Sequence, residues 1–243
     1  MRPVRRGASP RQTDFAEYED AKAELVARLG LYCSYCERRI ATLLAVEHIQ
    51  PKGLRPYEAL RGRWSNFLLG CPNCNGTKGD QDVVLGEYLL PDRDNTFAAF
   101  RFGPDGSIAV EAGLTDAQAE KARKTLRLTG LDKRMQAFLD VQGRMVALDR
   151  VAQRMEAWGI AERARSWVAG RPGQEELKDA VVELARQTGY FSVWMTVFAA
   201  DGEMRGRLVG AFAGTAESGC FDGDGRVVCP APNPDGLADG GKV

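Results

Sequence analysis

The sequence predicts an α+β protein in which a small metal-stapled unit is followed by a mostly α-helical remainder. Three observations carry that expectation. Two CxxC pairs, Cys33/Cys36 and Cys71/Cys74, are separated by 34 residues. A short strand-like run at residues 46–49 lies between them. Beyond residue 113 apolar side chains recur at helical spacing.

Composition sets the limits. With 243 residues, 44% of them hydrophobic, the chain can bury a core in one large or two small domains. The formal net charge is zero, so no global field announces a polyanionic partner. Residues 1–80 carry 13 Lys+Arg against 9 Asp+Glu, net +4, which leaves 20 against 24 for the remainder. The basic excess thus coincides with the cysteine region. No apolar core follows the Arg-rich start, and the longest nearly apolar stretch, 190–200, is too short to span a bilayer. The expected location is cytoplasmic, with no membrane contact. In a reducing compartment paired CxxC cysteines hold a metal rather than form disulfides.

In chain order, residues 1–13 read as a flexible arm, rich in Arg, Gly and Pro. A helix is expected over 14–29, opened by Asp14 and Glu17 and stopped at Gly30. A cysteine knuckle at 33–36 and the strand at 46–49 come next. Residues 51–63 form an irregular basic loop with Lys52, Arg55, Arg61 and Arg63, and 64–69 a short buried helical turn. Residues 75–80 open a short helix or loop, and a domain boundary is placed at 95. Residues 97–112 read as a hairpin turning at Pro104-Asp105-Gly106. Helices are expected over 115–128, 132–158, 160–169 and 175–188, with a buried one at 190–200. In the second, Met135, Phe138, Leu139, Met145, Leu148 and Met155 mark an apolar face. This gives a cysteine-stapled unit at 14–95, a helical partner or assembly domain at 96–213, and a Gly/Pro-rich tail at 214–243 whose last 14 residues are expected to be disordered. Cys220 and Cys229, in that tail, read as ordinary thiols.

Cys33, Cys36, Cys71 and Cys74 can supply four thiolates in tetrahedral array, the ligand set of a closed structural zinc site. His48 is the only histidine, and an imidazole titrating near neutrality is the natural base for activating water. Glu47 precedes it, and along a strand the two side chains point to opposite faces. At this point the chain resembles the HNH endonuclease family. The resemblance rests on Cys33-Ser34-Tyr35-Cys36, Glu47-His48-Ile49, Asn66-Phe67-Leu68-Leu69 and Cys71-Pro72-Asn73-Cys74-Asn75-Gly76-Thr77-Lys78, over roughly residues 31–80.

It implies a ββα-metal fold with His48 as general base. Glu47 and Asn75 would ligate a catalytic Mg²⁺ or Mn²⁺, a hard cation suited to oxygen donors. Asn66 would hold the loop that orients His48, and Lys78 and Lys52 would bind phosphate. Asn75 stands where histidine is common in the family, and Glu47 where aspartate is commoner, so Asp80 or Asp82 could contribute instead. More loosely, the chain is similar to HNH nucleases of Septu-type and retron-associated anti-phage defence systems, which implies DNA as substrate and an ATPase subunit as partner. An RNA substrate, a homo-oligomer and a non-catalytic zinc module that binds nucleic acid or protein stay open as alternatives.

Overall fold

Two short strands, β1 (Ala45–His48) and β2 (Phe67–Gly70), pair antiparallel, with Ala45 opposite Gly70 and His48 opposite Phe67. They open straight into the helix α2 (Pro72–Lys78). Cys71 caps that helix, its sulfur accepting from the Cys74 N–H, Pro72 occupies the first turn where no donor is needed, and Gly79 stops it at φ 50°. This ββα unit is the platform for everything that follows. In this computed structural model the described residues are 1–133, 138–139, 142, 145–146 and 149–243, with side chains for all but 138, 139, 145 and 146.

The segment 64–69 is half what its pattern suggests. Trp64–Asn66 is a single 3-10 turn, and Phe67 onward is extended because its backbone completes the ladder with β1. Upstream, the helix expected from Asp14 begins as a 3-10 turn at Tyr18–Ala21 and becomes α1 (Lys22–Leu29). Gly30 ends it as expected. The one-turn α3 (Thr96–Ala99) leads into the hairpin of β3 (Phe100–Phe102) and β4 (Ile108–Val110). Then comes α4 (Asp116–Thr129), opened by a Thr115/Gln118 capping box.

The helix expected over 132–158 is not formed as such. Residues 138–139 and 145–146 are the antiparallel pair β5 (Phe138–Leu139) and β6 (Met145–Val146). Helix α5 (Arg150–Ala169) starts only where the Asp149 side chain accepts from the Ala152 N–H. Of the expected stripe, Met135 and Leu148 lie outside the described residues. Helix α5 also runs through Gly159, where a break was expected, because Ala157, Ala161, Ala164 and Val168 are buried along it. Around α7 (Phe191–Val197), with Phe191 and Trp194 fully buried, pack α5, α6 (Glu175–Thr188) and α8 (Gly202–Ala211).

One hydrophobic cluster surrounds the ββα unit, α1 and α4, and a second lies among α5 to α8. Tyr32 and Phe212, with ring centroids 5.1 Å apart, join helix α8's end to the cysteine knuckle.

The first seven residues of the arm, and parts of the tail, both expected as flexible, are tied to the body, whereas residues 8–13 are exposed. Arg2 donates to Leu29 O, Ala213 O and Thr215 Oγ1, and Arg6 donates to Phe67 O at 2.8 Å and Ser65 O at 2.6 Å. Arg6 also pairs with Asp92 at 2.8 Å, both side chains 1% exposed. At the other end Asn95 donates through Nδ2 to Cys220 O and Val228 O, and Lys242 pairs with Asp94 at 3.0 Å. Guanidinium and amide donors saturated by loop carbonyls order these segments without any apolar periodicity. Replacing Arg6 by alanine should therefore cost about 3 kcal/mol, as expected when one partner of a buried ion pair is removed. Urea unfolding of the variant measures it.

Candidate active site and zinc centre

The four cysteine sulfurs lie within 4.8 Å of one another, all buried. Cys36 Sγ and Cys71 Sγ are 3.7 Å apart, close to the roughly 3.8 Å that a tetrahedral zinc with Zn–S near 2.3 Å requires. The donor set thus fits structural zinc. Hydrogen bonds from the Cys33, Cys36 and Cys74 thiols hold the Cys71 thiol far below its ordinary value, whereas burial pushes the Cys33 thiol well up and hydrogen bonding to its neighbours does the same for Cys74. Arg150, at the start of α5, was not foreseen here. Its Nη1 lies 3.0 Å from Cys74 Sγ, and its guanidinium also donates to Thr129 O and Gly130 O. A cation there would offset the excess negative charge of a tetrathiolate zinc, and it ties α5 to the cysteine cluster.

Along β1 the pleat sends Glu47 and His48 different ways, yet both line one cavity of about 450 Å³, together with Asn75, Lys78, Lys52 and Asp80. The His48 ring is wedged between Tyr18 and Phe67, with centroids 4.8 and 5.2 Å away. Its Nε2 lies 2.9 Å from Arg61 O. A carbonyl only accepts, so Nε2 carries the proton and, in the neutral ring, Nδ1 keeps the lone pair. Burial lowers the pKa of His48, only partly opposed by the Arg61 carbonyl, and Lys52, Lys78 and Arg61 lower it further. At neutral pH the ring is a free base.

Glu47, 2% exposed, is backed by Gly70, where an added Cβ would come within 3.1 Å of Glu47 Cβ. Lys78 Nζ lies 3.0 Å from Glu47 Oε1 and donates to His48 O at 2.7 Å. The alignment nevertheless leaves Glu47 Oε1 without a hydrogen bond, and the buried Tyr35 hydroxyl is likewise without one. Burial raises the Glu47 pKa, opposed chiefly by Lys78. Asn75, half-buried on α2, has no side-chain hydrogen bond among the described residues. A buried carboxylate oxygen with an unmet hydrogen-bond capacity and an open amide on the same cavity fit a hard divalent cation.

Asn66 is placed as a loop clamp. Its Oδ1 accepts from Gln50 N at 2.8 Å, and its Nδ2 donates to Gln50 O at 2.9 Å and Leu60 O at 3.4 Å. Those bonds fix residues 50–60 beside Arg61, whose carbonyl holds His48. Asn66→Ala should cut any His48-dependent cleavage roughly 100-fold through misplacement of the ring, while melting shows the protein still folded. A variant with full activity would remove that positioning role.

Lys52 Nζ sits 3.5 Å over the Tyr18 ring, at the cavity. Lys78, also at the cavity, does not present its ammonium to solvent: at 2% exposure it is turned inward onto Glu47. Asp80 lines the cavity, whereas Asp82 is engaged by the Tyr57 hydroxyl at 2.5 Å. Tyr18 went unrecognised because in the sequence it is one more apolar position of a helix.

Among the described residues no helix is long and apolar enough to cross a membrane. None of the curated proteins matches the chain. The family model described as HNH endonuclease matches residues 33–81, from Cys33 to just beyond α2, so this segment is similar to HNH endonuclease domains.

Proposed function

We propose that the protein is a metal-dependent endonuclease that hydrolyses phosphodiester bonds in DNA, with His48 as general base. The observation that carries this reading is the ring's hydrogen bond: Nε2–H is committed to Arg61 O, which leaves Nδ1 as the basic atom of a residue that lines the same cavity as Glu47 and Asn75. Nδ1 takes a proton from water, the resulting hydroxide attacks phosphorus, the P–O3′ bond breaks, and the departing O3′ takes a proton from a second water to leave a 5′-phosphate and a 3′-hydroxyl. Arg61 O and Asn66 keep the ring aligned, while Tyr18 and Phe67 confine it. Glu47 and Asn75 would hold Mg²⁺ or Mn²⁺, which supplies positive charge for the developing negative charge of the phosphoryl transfer. Lys52, at the same cavity, is suited to the flanking phosphate. The tetrathiolate zinc site fixes the start of α2, and with it Asn75 and Lys78.

The resemblance to defence nucleases supports an ATPase partner and an anti-phage role; co-purification of the two subunits tests that. RNA is the alternative substrate, since the cavity offers no group dedicated to a sugar hydroxyl or a base edge.

The test is a single-turnover pH profile on duplex DNA and on single-stranded RNA. The base must be unprotonated, and its pKa lies below the ordinary 6.5. The rate should therefore be flat through neutrality and fall only as pH drops through a midpoint below that value. A midpoint well above 7 would exclude neutral His48 as the base, and faster cleavage of RNA than of DNA would change the substrate.

A further inference from the structure

Glu47 already has a cation beside it. Lys78 Nζ stands 3.0 Å from Oε1 with both side chains 2% exposed, and its best hydrogen bond goes to His48 O at 2.7 Å. The pair is unequal: the ammonium is well held by the carbonyl, whereas Glu47 Oε1 gains charge neutralisation but no hydrogen bond. Lys78 lies in the last turn of α2, one turn after Asn75, and both line the cavity with Glu47. A flexible four-carbon stem at that position can reach either the buried carboxylate or the open cavity. An ammonium and a divalent cation on one buried carboxylate repel strongly in a low-dielectric site, so binding of one opposes the other.

We propose that Lys78 is the resident counter-ion of Glu47, that a divalent ion binds by displacing it, and that the displaced ammonium turns into the cavity where the substrate phosphate lies. This rests on the assignment of the divalent ion to Glu47 made above. It reconciles the inward Lys78 with the phosphate-binding place its motif implies: the two positions belong to the metal-free and metal-bound forms. Lysine then serves as a safeguard, since without metal the acidic ligand is neutralised and the phosphate-binding charge is withdrawn.

Zinc-loaded, full-length protein serves for the test. Mn²⁺ binding is followed by electron paramagnetic resonance for wild type, Lys78→Met and Glu47→Gln. Loss of the competing ammonium should tighten Mn²⁺ binding in Lys78→Met by roughly tenfold, the size of an ordinary coupling between two sites. Equal or weaker binding by a folded Lys78→Met would overturn the proposal. A second measurement needs no variant fold: nitrogen-detected spectra of lysine ammonium groups should give the metal-free wild type a slowly exchanging signal that Mg²⁺ abolishes. Persistence of that protected ammonium at saturating Mg²⁺ would also overturn displacement. Mn²⁺ binding undiminished in Glu47→Gln, or absent from wild type and Lys78→Met alike, would instead overturn the assignment of the ion to Glu47.

Discussion

Replacing His48 by alanine is expected to slow single-turnover phosphodiester cleavage by roughly 10²–10⁴-fold, the usual contribution of a positioned general base. His48 is the only histidine, so no second imidazole can take over. Among the described residues its ring makes one hydrogen bond, to Arg61 O, and packs between Tyr18 and Phe67. A hydrogen bond of that kind contributes about 1 kcal/mol to stability, so a melt should show the variant folded. Loss of activity in a variant that still melts cooperatively then reads chemistry rather than unfolding. Imidazole added to His48→Ala has a cavity to enter and should restore part of the rate.

Stripping the zinc should have the largest structural effect. In small domains a tetrathiolate zinc supplies on the order of 10 kcal/mol of folding free energy. Here the four sulfurs anchor both the knuckle after α1 and the first turn of α2, and Arg150 carries the linkage into α5. Chelation, or Cys71→Ser, should therefore expose residues 31–80 to protease and loosen α2, taking Asn75 and Lys78 out of place. Protection of that segment in a metal-stripped protein would mean that the thiols pack without an ion.

What could be read from the sequence follows from range. The CxxC pairs, the strand at Glu47-His48, the Pro104-Asp105-Gly106 hairpin and the capped α4 depend on residues a few positions apart, and their signals survive in a single chain. The Phe67 strand was hidden because its identity comes from a partner twenty residues upstream in β1. The order in the arm and tail is illegible for the same reason: Arg2, Arg6 and Asn95 hold them through carbonyls up to 211 residues away, contacts that leave no periodicity. The side chains that the motif names, His48, Glu47, Asn75 and Lys78, do line one cavity. Their supporting partners were not legible. Tyr18 against the His48 ring and Arg150 on Cys74 are ordinary residues made specific only by where the helices deliver them. Lys78 was legible as a charge near the site, but not as a charge turned inward, because burial of an ion pair is decided by packing around Gly70 and α2.

Hydrolysis of phosphodiester bonds at this cavity, as proposed, needs a divalent ion. Zinc-loaded wild-type protein incubated with supercoiled plasmid should nick it in Mg²⁺ or Mn²⁺ and leave it intact in metal-free buffer, and both His48→Ala and Glu47→Gln should fail to nick it. No cleavage of plasmid or RNA with either metal, by a folded protein that binds nucleic acid as well as His48→Ala does, would contradict the account and leave a non-catalytic zinc module in its place.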